Sequence, residues 1–348
     1  LREPFVIATA RMEATRAVEV TARVSRGGRE ATGLGEAATL PPVTREDEEG
    51  ALSSVLAAAP HLIGLEVDVV GSECARALDA LFLDAPVARS GLEVALLDAC
   101  ARLAEVPLRT LVGGSRGAAT SAMKTDITLS IASVESMVRV ARHWRAQGFD
   151  VFKVKVGKDL DQDLAALEAV HRAVPDTFFR IDANAGFAPR DAILLMDALE
   201  RMGLRVECYE QPCAAADLEA LAAVCRAVGP PVVADESVAS LEDLARVHRA
   251  GAADGVNLKI VKSGGLLAAL AIGVEAQRLG MPLMVGGMVE TRLGMTAGAH
   301  LVAALGGVPF VDLDTAWFLA NDPYDGGYVA DGPHYRLPAS PGLGVSPR

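Results

Sequence analysis

Between residues 123 and 312, short runs rich in β-branched residues alternate with amphipathic stretches of about 10 to 15 residues. The runs are Met123–Leu129, Val151–Val156, Phe178–Asp182, Val206–Glu210, Val232–Asp235, Gly255–Ile260, Pro282–Val285 and Pro309–Asp312. The helical stretches include Val134–Gln147, Leu164–Val174, Arg190–Met202, Leu218–Val228, Leu241–Ala250 and Leu266–Leu279. A helix between successive strands returns the chain to the same sheet end, so the strands run parallel. Eight such strands are the number that closes a barrel, and an α/β fold of the TIM-like (β/α) barrel class is expected. A doubly wound open sheet is the alternative. It calls for a Gly-rich first turn, and none is found here.

The residues before the barrel follow a different pattern. Up to about Pro42 polar and apolar residues alternate around a Gly27-Gly28 turn, which reads as a β-hairpin or meander, and from about Glu46 to Ala104 the pattern is helical. Residues 1–115 are therefore expected to form an α+β domain, residues 116–315 the barrel, and the Gly- and Pro-rich residues 316–348 a segment packed back on the first domain. With 33 Lys and Arg against 45 Asp and Glu, the net charge of −12 argues against nucleic acid or an anionic membrane as partner. The five cysteines include no CxxC pair and there is no long apolar run, so a cytoplasmic protein without a disulfide framework is expected.

Charged residues recur where the barrel strands end. The second strand carries Lys153-Val154-Lys155, the third ends in Asp182-Ala183-Asn184, the fourth in Glu210-Gln211-Pro212, the fifth in Asp235-Glu236-Ser237 and the sixth in Lys259. Each lies about one β/α unit from the last. In a closed barrel the C-terminal strand ends share one mouth, so these side chains converge. Lys153 and Lys155, two apart on a strand, share a face. A KxK alone suits a surface strand, and acids after strands often cap the next helix. Neither reading accounts for the whole register.

Asp182, Glu210 and Asp235, one carboxylate from each of three successive strands, suit a hard ion with oxygen ligands, and Mg²⁺ is expected. None of the six histidines falls at a strand end, which disfavours zinc. A proton next to a carboxylate is weakly acidic because its loss places a second negative charge on the enolate, and a divalent cation there offsets that charge. A strand-two lysine and Lys259 would act as base and acid from two sides, which inverts a stereocentre.

These motifs, with Asn257-Leu258-Lys259 and Lys262-Ser263-Gly264-Gly265, resemble the muconate-lactonizing enzyme subgroup of the enolase superfamily. Lys or His bases beside Mg²⁺ are that superfamily's known chemistry. The resemblance implies a (β/α)₇β barrel and a capping domain built from both chain ends. It makes Asp182, Glu210 and Asp235 the ligands of one Mg²⁺, Lys155 and Lys259 the catalytic pair, and Lys153 a group that holds the substrate carboxylate. Gly286-Gly287-Met288-Val289-Glu290-Thr291-Arg292-Leu293-Gly294 and Asp312-Leu313-Asp314 are similar to the dipeptide epimerases within the subgroup. There the two aspartates bind the substrate α-ammonium, and Thr128 with the backbone of Gly287, Met288 and Val289 lines the pocket. Asp312 and Asp314, taken alone, also read as a turn-forming pair. Symmetric homo-oligomers are common in the family.

The expected activity is epimerisation of a dipeptide at its C-terminal residue. The alternatives are N-acylamino acid racemase, o-succinylbenzoate synthase or cycloisomerase, whose substrates lack a free ammonium for Asp312 and Asp314, and a binding barrel that has lost catalysis. In the family the loop between the first two cap strands, here about residues 8–16, covers a substrate side chain. An inward Arg11 or Arg16 would favour an acidic side chain and an inward Glu13 a basic one. Lys262 is expected at the rim, His300 in the core, and Cys208 and Met288 in packing roles.

Overall fold

The computed structural model describes residues 1–67 and 73–348. The chain begins with a short antiparallel pair, β1 (Phe5–Val6) and β2 (Arg11–Met12). A long hairpin follows, β3 (Arg16–Arg26) and β4 (Arg29–Thr39), paired without a break from Arg16↔Thr39 to Arg26↔Arg29. Its two-residue turn is Gly27-Gly28, both at positive φ, the conformation that matches the twist of the flanking strands. Helices α1 (Glu48–Leu62), α2 (Glu73–Leu81), α3 (Pro86–Leu103) and α4 (Leu108–Ala119) complete the cap.

Helix α3 lies directly against the backbone of β4. A Cβ at Gly35 would sit 1.9 Å from the Gly91 carbonyl oxygen, and one at Gly33 would sit 2.2 Å from that of Ala95. Only hydrogen fits on that face of the strand. Buried Asp98 on α3 then ties three segments together. It accepts hydrogen bonds from Leu34 N at 2.9 Å and Leu343 N at 2.6 Å, and pairs with Arg102.

The barrel strands are β6 (Ile127–Leu129), β7 (Val151–Lys155), β8 (Phe178–Asp182), β9 (Arg205–Glu210), β10 (Val232–Ala234), β11 (Gly255–Leu258), β12 (Leu283–Gly286) and β13 (Phe310–Asp312), one sheet in sequence order. Every neighbouring pair is parallel. Asp126 N donates to Val311 O at 3.1 Å and brings the first strand to the last. The helices between them are α5 (Val134–Ala146), α6 (Leu160–Ala173), α7 (Pro189–Arg201), α8 (Leu218–Ala227), α9 (Leu241–Ala250), α10 (Leu266–Arg278) and α11 (Arg292–Leu305). Among the described residues no helix follows β13 as a partner of the sheet, so the arrangement is (β/α)₇β as expected.

Two expected boundaries move. The run Met123–Leu129 is two strands: β5 (Ala122–Lys124) pairs outside the barrel, and the chain then turns at Thr125, whose N donates to Pro333 O, before β6 enters it. Helix α6 starts at Leu160, because Asp159 caps it by accepting from Asp161 N and Gln162 N.

The C-terminal strands are β14 (Tyr324–Gly326), β15 (Val329–Asp331), β16 (His334–Arg336) and β17 (Val345–Pro347). They contact both parts of the molecule. Tyr324 bonds Glu19 of the cap hairpin, while β16 pairs with β5 and the Arg292 guanidinium of α11 donates to Tyr328 O. Inside the barrel, Cys208, Val233 and Met284 pack with Phe310 as an apolar floor, and the Arg180 guanidinium stands over the Phe310 ring. Among the described residues no helix is long and apolar enough to cross a membrane.

Candidate active site

Above that floor, the ionisable side chains of five strand ends meet. Lys153 and Lys155 both point inward from β7 and are 1% and 7% exposed. Asp182, Glu210 and Asp235 stand at the ends of three neighbouring strands, β8, β9 and β10, and are buried. Lys155 reaches this acidic arc from the strand before it, with Nζ 2.6 Å from Asp182. Lys259 reaches it from β11, the strand after it, with Nζ 2.6 Å from Asp235 Oδ2. Lys153 lies deeper and contacts Asp182 at 3.0 Å, Glu210 at 2.7 Å and Asp312 at 2.6 Å. The convergence inferred from the register is present.

Burial would raise the carboxyl of Asp182, but the ammonium groups of Lys155 and Lys153 hold it well below the usual range. Asp235 is held down the same way by Lys259 and Lys262. Glu210 is pushed up to about 7, first by burial and then by repulsion from Asp182. Glu236 is also raised to about 7, by burial and Asp235. Burial would lower the Lys259 ammonium, yet Asp235 and Glu210 push it above the usual lysine value. The acids that hold this ammonium, Asp235 and Glu210, are two of the three strand-end carboxylates that would hold a cation.

The residues present fit such a cation. Asp182, Glu210 and Asp235 are three buried hard oxygen donors on neighbouring strands, with their oxygens drawn onto the ammonium groups of Lys153, Lys155, Lys259 and Lys262. The repulsion that raises Glu210 is what a divalent ion relieves, and Glu236 Oε2 and Asn184 Oδ1 are buried without hydrogen-bond partners. A second acidic group has a different character. Carboxylate oxygens of Asp126, Asp312 and Asp314 lie within 4.8 Å of one another. Asp126 is committed to Arg180 at 2.9 Å, whereas Asp312 and Asp314 line the pocket. Burial and then Asp312 raise Asp314 to about 7, so a cationic group beside the pair would be stabilised. The Thr128 backbone N donates to Asp314, and Thr128, Gly287, Met288 and Val289 line the same pocket.

Several residues differ from expectation or were missed. Lys262 is not a free rim residue, since its Nζ lies 2.6 Å from Asp235 Oδ1 and also donates to the Asp235 carbonyl. The turn after β11 bends it back over the arc. Arg11 and Glu13 do not point inward. They pair with each other at 2.9 Å, with side chains 60% and 67% exposed, and Arg16 pairs outward with Glu48. His300 is a core residue as expected, its Nδ1 accepting from Arg109 N. Cys208 belongs to the barrel floor.

Gln211, directly after Glu210, has a role that the sequence does not show. Its backbone has φ of 35°, unfavourable for a residue with a side chain, and its amide is fully engaged. Oε1 accepts from Asp235 N and Ser237 N, and Nε2 donates to Cys213 O and Ser237 Oγ. Gln211 thereby fixes the end of β10 that carries Asp235. Asn257 Nδ2 similarly donates to Glu210 Oε1 at 2.8 Å. The signal for Gln211 is its position beside the strand-end acid Glu210, and for Asn257 its position two residues before the strand-end Lys259, neither of which a single sequence separates from ordinary strand and turn chemistry.

Known proteins show the same design. Residues 1–113 match the family described as "Mandelate racemase / muconate lactonizing enzyme, N-terminal domain", and residues 136–348 match "Enolase C-terminal domain-like". The chain is 38% identical to the L-Ala-D/L-amino acid epimerase of Populus trichocarpa, over 96% of this chain and 79% of that protein. It is similar in structure to the substrate-liganded L-Ala-D/L-Glu epimerase of Bacillus subtilis, with TM-score 0.92 and 32% identity over 99% of this chain and 95% of that one. The dipeptide epimerase of Enterococcus faecalis, solved with Mg and L-Leu-L-Tyr, matches with TM-score 0.90 and 32% identity over 99% and 96%. With both domains matched and acids and lysines in the register described, this chain belongs to the mandelate racemase/muconate lactonizing enzyme family of the enolase superfamily.

Proposed function

We propose that this protein is a Mg²⁺-dependent dipeptide epimerase that inverts the α-carbon of the C-terminal residue by proton transfer between Lys155 and Lys259. The observation that carries this reading is the placement of those two lysines at opposite ends of the acidic arc, with Asp312 and Asp314 on the wall of the same pocket.

Asp182, Glu210 and Asp235 would hold Mg²⁺, which supplies charge neutralisation for the substrate carboxylate as negative charge builds there. Lys153, buried between Asp182, Glu210 and Asp312, presents a fixed positive charge to the same carboxylate. Asp312 and Asp314 bind the α-ammonium of the N-terminal residue and fix which carbon lies between the lysines. One lysine, as the free amine, takes the α-proton, and the electron pair of the broken C–H bond moves into the carboxylate to give the enolate. The other, as the ammonium, returns a proton to the opposite face of that carbon. The lysines exchange protonation states, and the epimer leaves with atoms and charge balanced.

The relatives support this reading, because epimerases of dipeptides match over nearly the full chain and one was solved with Mg and a dipeptide. The N-acylamino acid racemase alternative is less well supported, because an acylated nitrogen carries no positive charge for Asp312 and Asp314. Incubation with Mg²⁺ and a library of L,L-dipeptides in D₂O tests the proposal. One deuterium on the C-terminal α-carbon, with appearance of the L,D epimer, is expected. Absence of exchange with every dipeptide refutes it.

A further inference from the structure

The proposed chemistry uses every charged side chain that lines the pocket. Lys153, Lys155 and Lys259 face the carboxylate and α-carbon, and Asp312 and Asp314 face the ammonium. The two substrate side chains must lie against what remains. Thr128, Asn184 and Thr315 contribute uncharged polar groups beside Gly287 and Val289, and the other five are apolar, Phe5, Ile7, Leu40 and Val43 from the cap and Met288 from the loop after β12. Four of these five are buried, and Phe5, Ile7, Leu40 and Met288 belong to one continuous apolar cluster of the cap.

This wall is held in place. Ile131 N donates to Val6 O at 2.9 Å, which pins β1 to the loop after the first barrel strand. Thr15 Oγ1 donates to Val289 O, which pins the end of the loop between β2 and β3 to the pocket rim. The charged residues of residues 8–16 are directed away from the pocket, Arg11 and Glu13 into their mutual pair and Arg16 to Glu48.

We infer that the preferred dipeptides carry uncharged, apolar side chains at both positions and that the cap wall of Phe5, Ile7, Leu40 and Val43 excludes acidic and basic ones. This rests on the dipeptide epimerase reading and adds to it the side-chain class. A carboxylate or ammonium placed against these residues loses its water and gains no partner, a penalty large compared with that of one methylene more or less. Discrimination on the order of 100-fold in kcat/KM is expected.

The test uses the full chain with Mg²⁺ and compares kcat/KM for L-Ala-L-Leu, L-Ala-L-Phe, L-Ala-L-Glu and L-Ala-L-Lys, and for L-Leu-L-Ala against L-Glu-L-Ala and L-Lys-L-Ala. Apolar substrates ahead of charged ones by tenfold or more in both series support the inference. A Glu or Lys substrate within tenfold of its Leu counterpart overturns it while leaving epimerisation intact. Turnover of none of them removes the underlying reading and the inference together. Val43→Arg gives an independent check, since Val43 is only half-buried and a guanidinium there supplies the missing partner. The ratio of L-Ala-L-Glu to L-Ala-L-Leu activity should rise at least tenfold. An unchanged ratio in a folded variant contradicts the assignment of this wall.

Discussion

Replacing Lys259 with methionine separates the two halves of the proposed reaction. Lys259 shares Asp235 with Lys262, the two ammonium groups lying 2.6 Å from different oxygens of one carboxylate. Removing one therefore leaves Asp235 paired. The cost should fall below the roughly 3–5 kcal/mol of a fully stripped buried charge, near 1–2 kcal/mol, and Tm should drop by a few degrees. Catalysis should suffer far more, since a positioned acid or base contributes about 10²–10⁴-fold. Epimerisation needs both lysines, so it should fall by that factor in both directions. Exchange without inversion needs only one. In D₂O the variant should therefore still incorporate deuterium from the epimer whose α-hydrogen faces Lys155, and lose exchange from the other. Lys155→Met should show the mirror pattern, and there too Asp182 keeps a partner in Lys153 at 3.0 Å. Proton NMR of the α-hydrogen, with chiral chromatography of the products, reads both quantities. If folded Lys259→Met exchanges both epimers within tenfold of the unaltered protein, Lys259 is not one of the two bases.

Chelation of the metal should abolish activity, Mg²⁺ should restore it, and Mg²⁺ at 100 times its Kd should stabilise the fold by about 2.7 kcal/mol; activity and Tm indifferent to chelator would contradict the assigned acids. Asp314→Asn keeps an acceptor for Thr128 N but removes a charge beside the ammonium, so KM for dipeptides should rise on the order of 10- to 100-fold, measurable by steady-state kinetics. Gly35→Ala places a methyl 1.9 Å from the Gly91 carbonyl and should destabilise by about 2–3 kcal/mol in denaturant titration, while Gly229→Ala, with nothing within 4 Å, should be nearly neutral. Burial, then Arg109, lowers His300 to about 3. Below the unfolded value of about 6.5 only the unfolded chain gains that proton, so stability present above this pH is lost as pH falls toward 3, about 2 kcal/mol of it by pH 5. His300→Gln should flatten the fall of Tm between pH 7 and 5, and an unchanged slope would argue that His300 is not responsible.

The β/α alternation, the eight barrel strands and the placement of Lys153, Lys155, Asp182, Glu210, Asp235 and Lys259 at strand ends are legible in the residue order alone. These properties are local or periodic. Side-chain alternation along a strand and one acid per β/α unit survive without knowledge of any long-range contact. The direction of loop side chains is not of this kind. Whether Arg11 faces the pocket or Glu13 depends on how β1 and β2 pair and on how Ile131 and Val289 pin the cap, contacts between residues far apart in the chain. Lys262 returning to Asp235, the Gln211 side-chain amide that positions Asp235, and the split of Met123–Leu129 between two sheets likewise arise only on folding. So was the apolar wall of the pocket. Phe5, Ile7, Leu40 and Val43 read as ordinary hydrophobic residues until the cap closes over the barrel, because burial beside a reactive carbon is a property of tertiary structure.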